Sequence, residues 1–306
     1  MRICFVGLGS IARRHIKNIK ELFPSYSIDV LRHSANKNLS EDINVLVDKV
    51  YYSFDELPDG YDVMFITNPT SLHYETLRKM HNKASHFFIE KPVFEKYDED
   101  IDRIGLREDS IYYVACPLRY SAVIQYLKEN IDFSEVYSVR AISSSYLPDW
   151  RPQIDYRKTY SANKELGGGV SIDLIHEWDY IFYLIGAPLS TKCFIKRKSN
   201  LEINSDDLAI YIAEYKDKMV EVHLDYFGRE TVRKVELFTK DDSIEADLIA
   251  SKIIYRKSGQ VIELKENRNE YQKKEIKHFF DIINGKTSND NSIQEACEVL
   301  KTTMGK

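Results

Sequence analysis

Cysteine is scarce in this chain: Cys4, Cys116, Cys193 and Cys297 are the only 4 in 306 residues, and none has a partner at a paired spacing. That excludes a disulfide framework, offers no zinc-ligand pattern, and leads us to expect no metal and a reducing, cytoplasmic setting. Long apolar runs are lacking too, since none approaches the roughly 20 residues that a membrane span requires. The chain enters a strand pattern almost at once, without the layout of a signal peptide. Neither sign of charge dominates. With 43 basic and 48 acidic residues the formal net charge is −5, which leaves no basic footprint for nucleic acid and no polybasic tail for a membrane surface. Repeats, low-complexity segments and flexible linkers are also missing. What is present is ordinary globular material, 43% hydrophobic, long enough for two domains and a large core. A small-molecule partner fits this balance best.

The first third alternates strands with helices. Arg2 to Val6 reads as an apolar strand, followed directly by Gly7-Leu8-Gly9-Ser10-Ile11-Ala12, the G-x-G-x-x-A form of a dinucleotide-binding turn. Helical periodicity follows at once, with Ile11, Ala12, Ile16, Ile19, Leu22 and Phe23 on one face and Arg13, Arg14, Lys17, Asn18 and Lys20 on the other. In such a turn Gly7 permits the tight bend, Gly9 lets a pyrophosphate approach the backbone, and Ala12 lets the helix pack closely on the strand. The helix N-terminus then faces the phosphates. A second strand, Ser27 to Leu31, ends in Arg32-His33-Ser34, where an NAD-binding site would carry an acid. Arg32, with His33, Ser34 or Lys37, suits a 2′-phosphate, so among NAD(P) cofactors the reading leans to NADP. A strand over 62–67 ends in the turn Asn68-Pro69-Thr70-Ser71, and a helix carrying His73 follows. The next strand, 86–89, stops at Glu90-Lys91-Pro92. Lys91 thus falls at the sheet edge where ligands bind, placed to polarise or protonate a substrate hydroxyl, and Lys91-Pro92 is open to a cis geometry. A charged helix around 97–108 and a strand over 111–115 complete a parallel sheet covered on both faces, ending near Pro117.

From Glu135 the texture changes to strands at 136–145, 208–215, 219–226, 234–239, 244–248, 253–256 and 261–264, separated by turn-like pairs. A largely antiparallel sheet is expected, with helices on one face and an oligomer surface on the other. Helices over 270–284 and 292–303 close the chain. Within this part, Gly167-Gly168-Gly169 leads into an amphipathic helix on which Asp173, His176 and Asp179, spaced by three, share a face. A carboxylate there orients the imidazole, which equips His176 as a general base. Farther upstream, Leu147-Pro148-Asp149-Trp150-Arg151-Pro152 and Asp155-Tyr156-Arg157-Lys158 set aromatics beside cations. Trp150 or Tyr156 is able to stack on a sugar, and Arg151, Arg157 or Lys158 to pair with a carboxylate or phosphate.

The full pattern resembles the Gfo/Idh/MocA family of NAD(P)-dependent sugar oxidoreductases. The matching pieces are Gly7-Leu8-Gly9-Ser10-Ile11-Ala12, Thr67-Asn68-Pro69-Thr70 with His73, Glu90-Lys91-Pro92, Arg119-Tyr120, the triple glycine with His176, and the closing helices. The resemblance implies an α/β protein. Residues 1–118 would form a Rossmann domain with a doubly wound parallel sheet. Residues 119–306 would form a substrate and oligomerisation domain with an open, mainly antiparallel mixed sheet, the closing helices packing back on the first domain. Nicotinamide and sugar would lie in a cleft. It further implies cofactor contacts from Gly7, Gly9, Ser10, Ile11, Arg32, His33, Ser34, Asn68, Pro69, Thr70, His73, Glu90, Lys91 and Arg119. Substrate contacts would come from Lys91, Arg119, Trp150, Tyr156, Arg157, Asp173 and His176, and proton exchange from Lys91 and His176 with Asp173 assisting. The family's usual acid precedes the histidine by four residues, where this chain has Ile172. A homodimer or homotetramer through the open sheet face is implied. Two other readings keep the same fold: a noncatalytic nucleotide sensor, and an epimerase or lyase that retains its cofactor.

Overall fold

The computed structural model describes residues 1–33, 39–267 and 269–306, so the expected contributions of Ser34 and Lys37 lie outside the described residues. The chain divides into two compact units, 1–115 with 272–297 and 116–271 with 298–306.

In the first unit, strands β1 (Arg2–Val6), β2 (Ser27–Leu31), β3 (Lys49–Tyr51), β4 (Tyr61–Ile66), β5 (Ala84–Ile89) and β6 (Tyr112–Val114) pair in the order β3-β2-β1-β4-β5-β6. Every pair is parallel. The strands are apolar along most of their length because helices cover the sheet, so there is no wet face to demand alternation. Phe5, Phe65 and Phe88 stack across β1, β4 and β5 at 4.6 Å spacings. The strand order reverses between β1 and β4, and in open parallel sheets the crevice at such a reversal takes the ligand. Helix α1 (Ser10–Leu22) buries Ala12, Ile16 and Ile19, and with them His15 and Asn18. Asn18 was expected on the wet face; it is in fact 1% exposed. Helices α2 (Glu41–Asn44) and α3 (His73–Met80) follow. The charged helix expected over 97–108 does not form. Only a short 3-10 turn, Ile101–Ile104, is present, closed by Gly105 at φ 76°. Ile104 alone in that turn is buried, and a segment with so little apolar surface to dock gains too little to extend a helix.

In the second unit, strands β7 (Val136–Tyr146), β8 (Ser190–Lys196), β9 (Leu208–Glu214), β10 (Met219–Asp225), β11 (Phe227–Thr239), β12 (Ser243–Asp247), β13 (Lys252–Tyr255) and β14 (Val261–Glu263) pair in the order β14-β13-β12-β11-β7-β10-β9-β8. The sheet is mixed: β10 runs parallel to β7, and its other pairings are antiparallel. Strand β8, with its strict exposed and half-buried alternation, is an addition to the expected set. Helices α4 (Ala122–Asn130), α5 (Val170–Asp173) and α6 (His176–Ile185) belong to this unit. Trp178 of α6 meets Tyr211 of β9 edge-on at 5.4 Å, which marks one face of the sheet as covered. Phe194, Ile210, Ile212 and Met219, pointing the other way, are exposed. Helices α7 (Glu270–Ile283) and α8 (Ile293–Thr303) close the chain, and the division between units falls within both. No helix among the described residues is long and apolar enough to cross a membrane.

Candidate active site

At the sheet reversal the glycine turn has the shape its sequence demands. Gly7 sits at φ 95°, and a Cβ there would lie 2.7 Å from the Asn68 backbone. The Thr67 hydroxyl fastens the same place, donating to the carbonyls of Val6 at 3.1 Å and Gly7 at 3.0 Å. Gly9 has nothing within 4 Å of where its Cβ would be, and it caps α1 with no side-chain hydrogen bond and no acid in the first turn. The leading N–H groups of Ser10 and Ile11 therefore stand at a helix end carrying roughly half a positive charge. Asn68 donates from Nδ2 to Thr76 at 2.7 Å, while its Oδ1 is buried with no protein partner. A buried acceptor lacking a donor is costly; the hydroxyls and carboxamide of a nicotinamide dinucleotide supply donors, so the residues fit that group. Pro69 and Thr70 open the turn that leads into α3.

Beyond β2, the Arg32 N–H donates to the Tyr51 carbonyl at 2.9 Å, and His33 is exposed. The acid of this strand, Asp29, is turned away from its carboxyl end. It accepts from Arg2 at 2.9 Å and from the Tyr61 hydroxyl at 2.8 Å.

The Glu90-Lys91-Pro92 segment is anchored on both sides of Lys91, and Lys91-Pro92 is cis. Glu90 Oε1 lies 2.6 Å from His15 Nε2 of α1. Burial alone would raise the Glu90 carboxyl; the hydrogen bond and charge of His15, together with Lys91 and His73, outweigh it and hold the carboxyl below its ordinary range. His73, expected against the cofactor, is 1% exposed. Its Nδ1 is 3.1 Å from the carbonyl oxygens of both Pro92 and Val93, and its Nε2 is 3.0 Å from that of Asn68. Burial pushes this imidazole below its usual pKa.

In the second unit the triple glycine is a matter of close approach. Gly167 turns at φ 80°; a Cβ on Gly168 would meet the Tyr160 carbonyl at 2.0 Å; and Gly169, at φ 145°, would meet Asp206 Oδ1 at 2.2 Å. Asp206 in turn accepts from the Ser171 N–H at 2.9 Å, and its carbonyl from the Val170 N–H at 3.0 Å, tying down the start of α5. Helix α5 ends at Asp173, which accepts from the buried Tyr226 hydroxyl at 2.5 Å. Burial and the neighbouring carboxylate push that phenol well above its usual range. His176, half-buried, opens α6. The expected single helix bearing Asp173, His176 and Asp179 is therefore broken between Asp173 and His176, and Asp179 serves elsewhere. It holds the buried Arg119 fork-on-fork at 3.0 and 2.8 Å, and the Arg119 guanidinium lies 5.3 Å from the Tyr183 ring centroid. A bidentate buried pair of this kind fixes geometry.

Of the aromatic and cationic segment, Trp150 is exposed, donates to Ser145 Oγ at 2.9 Å and meets the Tyr226 ring edge-on at 5.3 Å. That contact brings Trp150 next to the partner of Asp173. The Tyr156 hydroxyl accepts from the Glu202 N–H at 3.2 Å. Arg157 is gripped by Asp155 at 2.8 and 3.0 Å and by Glu202 at 3.0 Å, so two carboxylates already balance its charge. Three site residues escaped the sequence reading: His15, Asp206 and Tyr226. For His15 a signal existed, because positions 12, 15, 16 and 19 follow the spacing of a buried helix stripe. For Asp206 and Tyr226 none did, since both reach α5 from segments distant in sequence, just before β9 and between β10 and β11.

Residues 1–105 match the family model described as "Oxidoreductase family, NAD-binding Rossmann fold", GFO_IDH_MocA. The uncharacterized oxidoreductase YrbE of Bacillus subtilis is 22% identical over 314 aligned positions, covering 98% of this chain and 86% of that protein. Two solved structures share the fold. UDP-N-acetylglucosamine 3-dehydrogenase GnnA from Acidithiobacillus ferrooxidans has a TM-score of 0.77 at 19% identity, over 99% of this chain and 95% of that one. The WlbA dehydrogenase from Bordetella pertussis, in complex with NADH and UDP-GlcNAcA, has a TM-score of 0.77 at 14% identity, over 99% and 94%.

Proposed function

We propose, for a chain whose residues 1–105 belong to the Gfo/Idh/MocA oxidoreductase family with its NAD-binding Rossmann fold, an NAD(P)-dependent dehydrogenase or reductase acting on a hydroxyl or keto carbon of a sugar or sugar derivative. One observation carries the reading. The Gly7 turn, the open approach at Gly9 and the uncapped α1 start together form a cradle for a dinucleotide, beside a buried Asn68 acceptor that needs a donor. The bound nicotinamide supplies hydride acceptance or donation. The chain's own groups do the rest: Lys91 binds and polarises the substrate oxygen, His176 exchanges the hydroxyl proton, and Asp173, fixed by Tyr226, assists that histidine. Exposed Trp150 offers a stacking surface for the sugar ring. An acidic or nucleotide-linked sugar is the substrate class we favour, supported by the fold shared with proteins that act on or bind UDP-linked sugars. Arg157 is the weaker part of that assignment, given its two carboxylate partners. The Arg157→Ala variant should raise KM for an anionic sugar and spare a neutral one; equal effects on both retire the residue.

Arg32 at the end of β2, with Asp29 turned elsewhere, favours NADP over NAD. The deciding experiment is a titration with NADPH and NADH, following Trp150 and Trp178 emission. Tighter NADPH binding that weakens in Arg32→Ala supports the preference, and preference for NADH ends it. Binding of neither by folded protein sinks the enzyme reading in favour of a noncatalytic role. Lys91→Met should remove most turnover and leave cofactor affinity nearly unchanged; retained turnover would mean that Lys91 is not the catalytic lysine.

A further inference from the structure

We infer that His15 and His73 are positioning residues for Lys91, two buried struts that fix the backbone on either side of it. On one side, the Glu90 N–H donates to the Ile66 carbonyl at 2.9 Å, completing the β4–β5 ladder. The Glu90 carboxylate reaches His15, at 2.6 Å, on the helix that the glycine turn opens. An ionised Glu90 accepts a hydrogen bond from Nε2, and the other ring nitrogen, Nδ1, is buried without a protein partner. The ring lies 5.8 Å from Phe65 and 5.2 Å from Phe88. On the other side, His73 of α3 has Nδ1 3.1 Å from the carbonyl oxygens of Pro92 and Val93 and Nε2 3.0 Å from that of Asn68, and the neutral ring donates from one of these nitrogens.

Each histidine is 1% exposed. An apolar residue would fill either site without desolvating an imidazole, so packing alone does not account for the choice. What the imidazoles add is a set of directional bonds converging on residues 90, 92 and 93. The backbone on either side of Lys91 is thereby fixed, which lowers the entropy lost when its side chain engages a substrate oxygen. This inference rests on the proposed role of Lys91 for its consequence in turnover, and on geometry alone for the positioning itself.

The test separates the two. The full chain is reductively methylated with ¹³C-formaldehyde, the Lys91 dimethylamino resonance is assigned with Lys91→Arg, and the spectrum is recorded for His15→Leu, His15→Gln and His73→Leu. In the wild type, Lys91 should resonate apart from the surface lysines. It should collapse onto their position in both leucine variants and return in His15→Gln, whose amide keeps an N–H donor. Should the leucine variants fail to fold by circular dichroism, Glu90→Leu is read the same way as the break on the Glu90 side, with the near-isosteric Glu90→Gln as its rescue. A Lys91 resonance already among the surface lysines in the wild type, or unmoved in the variants that break the struts, overturns the inference. Turnover retained in Lys91→Met instead overturns the catalytic reading and leaves the positioning result standing. If both hold, turnover in the strut variants falls by up to about 100-fold.

Discussion

Tyr226 shows how one buried side chain concentrates function. Its hydroxyl serves Asp173 at 2.5 Å while its ring packs against Trp150. Tyr226→Phe keeps the packing and removes the donor, leaving the carboxylate one bond short; a cost of about 1–3 kcal/mol in urea unfolding is expected, together with a fall in turnover but little change in cofactor affinity. An unchanged turnover would remove Asp173 from the mechanism. Glu90 makes a second prediction, in pH. Its folded pKa is depressed relative to the unfolded chain, so its contribution to stability is fully present above the ordinary glutamate pKa of about 4.3 and is lost as pH falls through the folded value. The stability gap between wild type and Glu90→Gln should therefore narrow as urea unfolding is repeated from pH 7 down to pH 3. Little of this was legible beforehand. Lys91 and His176 were visible as residue types in a pattern, whereas the identity of their supporting groups depends on which distant segments the fold brings alongside, those carrying Tyr226, Asp206 and His15.

Among the elements, the two glycine turns were readable because each is local: a strand, a forced bend, then a helix. The structure adds why the bends exclude side chains. Gly168→Ala would drive a methyl group to 2.0 Å from the Tyr160 carbonyl, so the 3-10 turns before α5 would have to shift. We expect a loss of more than about 2 kcal/mol, with turnover falling more than stability accounts for, measured by unfolding and kinetics on the same preparation. At α4 the cap is simpler. Ser121 Oγ accepts from the Ile124 N–H at 3.3 Å, and Ser121→Ala should cost about 1 kcal/mol without affecting the site. Two elements were misread for a common reason. The 97–108 segment has helix-forming composition but almost no apolar face, and the 170–179 stretch has helical spacing but breaks after Asp173, with Asp206 holding the start of α5 and Tyr226 its end. Propensity is weak enough that docking overrides it.

At the scale of the whole molecule, the eight-stranded sheet leaves Phe194, Ile210, Ile212 and Met219 exposed on one side. Such a surface favours self-association, and a homodimer or homotetramer through this face remains our proposal. Ile212→Glu should lower the sedimentation coefficient to that of a monomer while leaving circular dichroism unchanged; a wild type that sediments as a monomer ends it. The division into a parallel and a mixed sheet was determined by the sequence itself, because strand texture is periodic and periodicity is a local property of the chain. So were the glycine cradle and the lysine at the end of β5, since each follows its strand within a few residues. Only the tertiary structure decided that Asp179 belongs to Arg119, Asp173 to Tyr226, Glu90 to His15 and Glu202 to Arg157. Partners are chosen by proximity in space, and residues 53, 60 or 75 positions apart are brought together by the fold, which no spacing along the chain encodes.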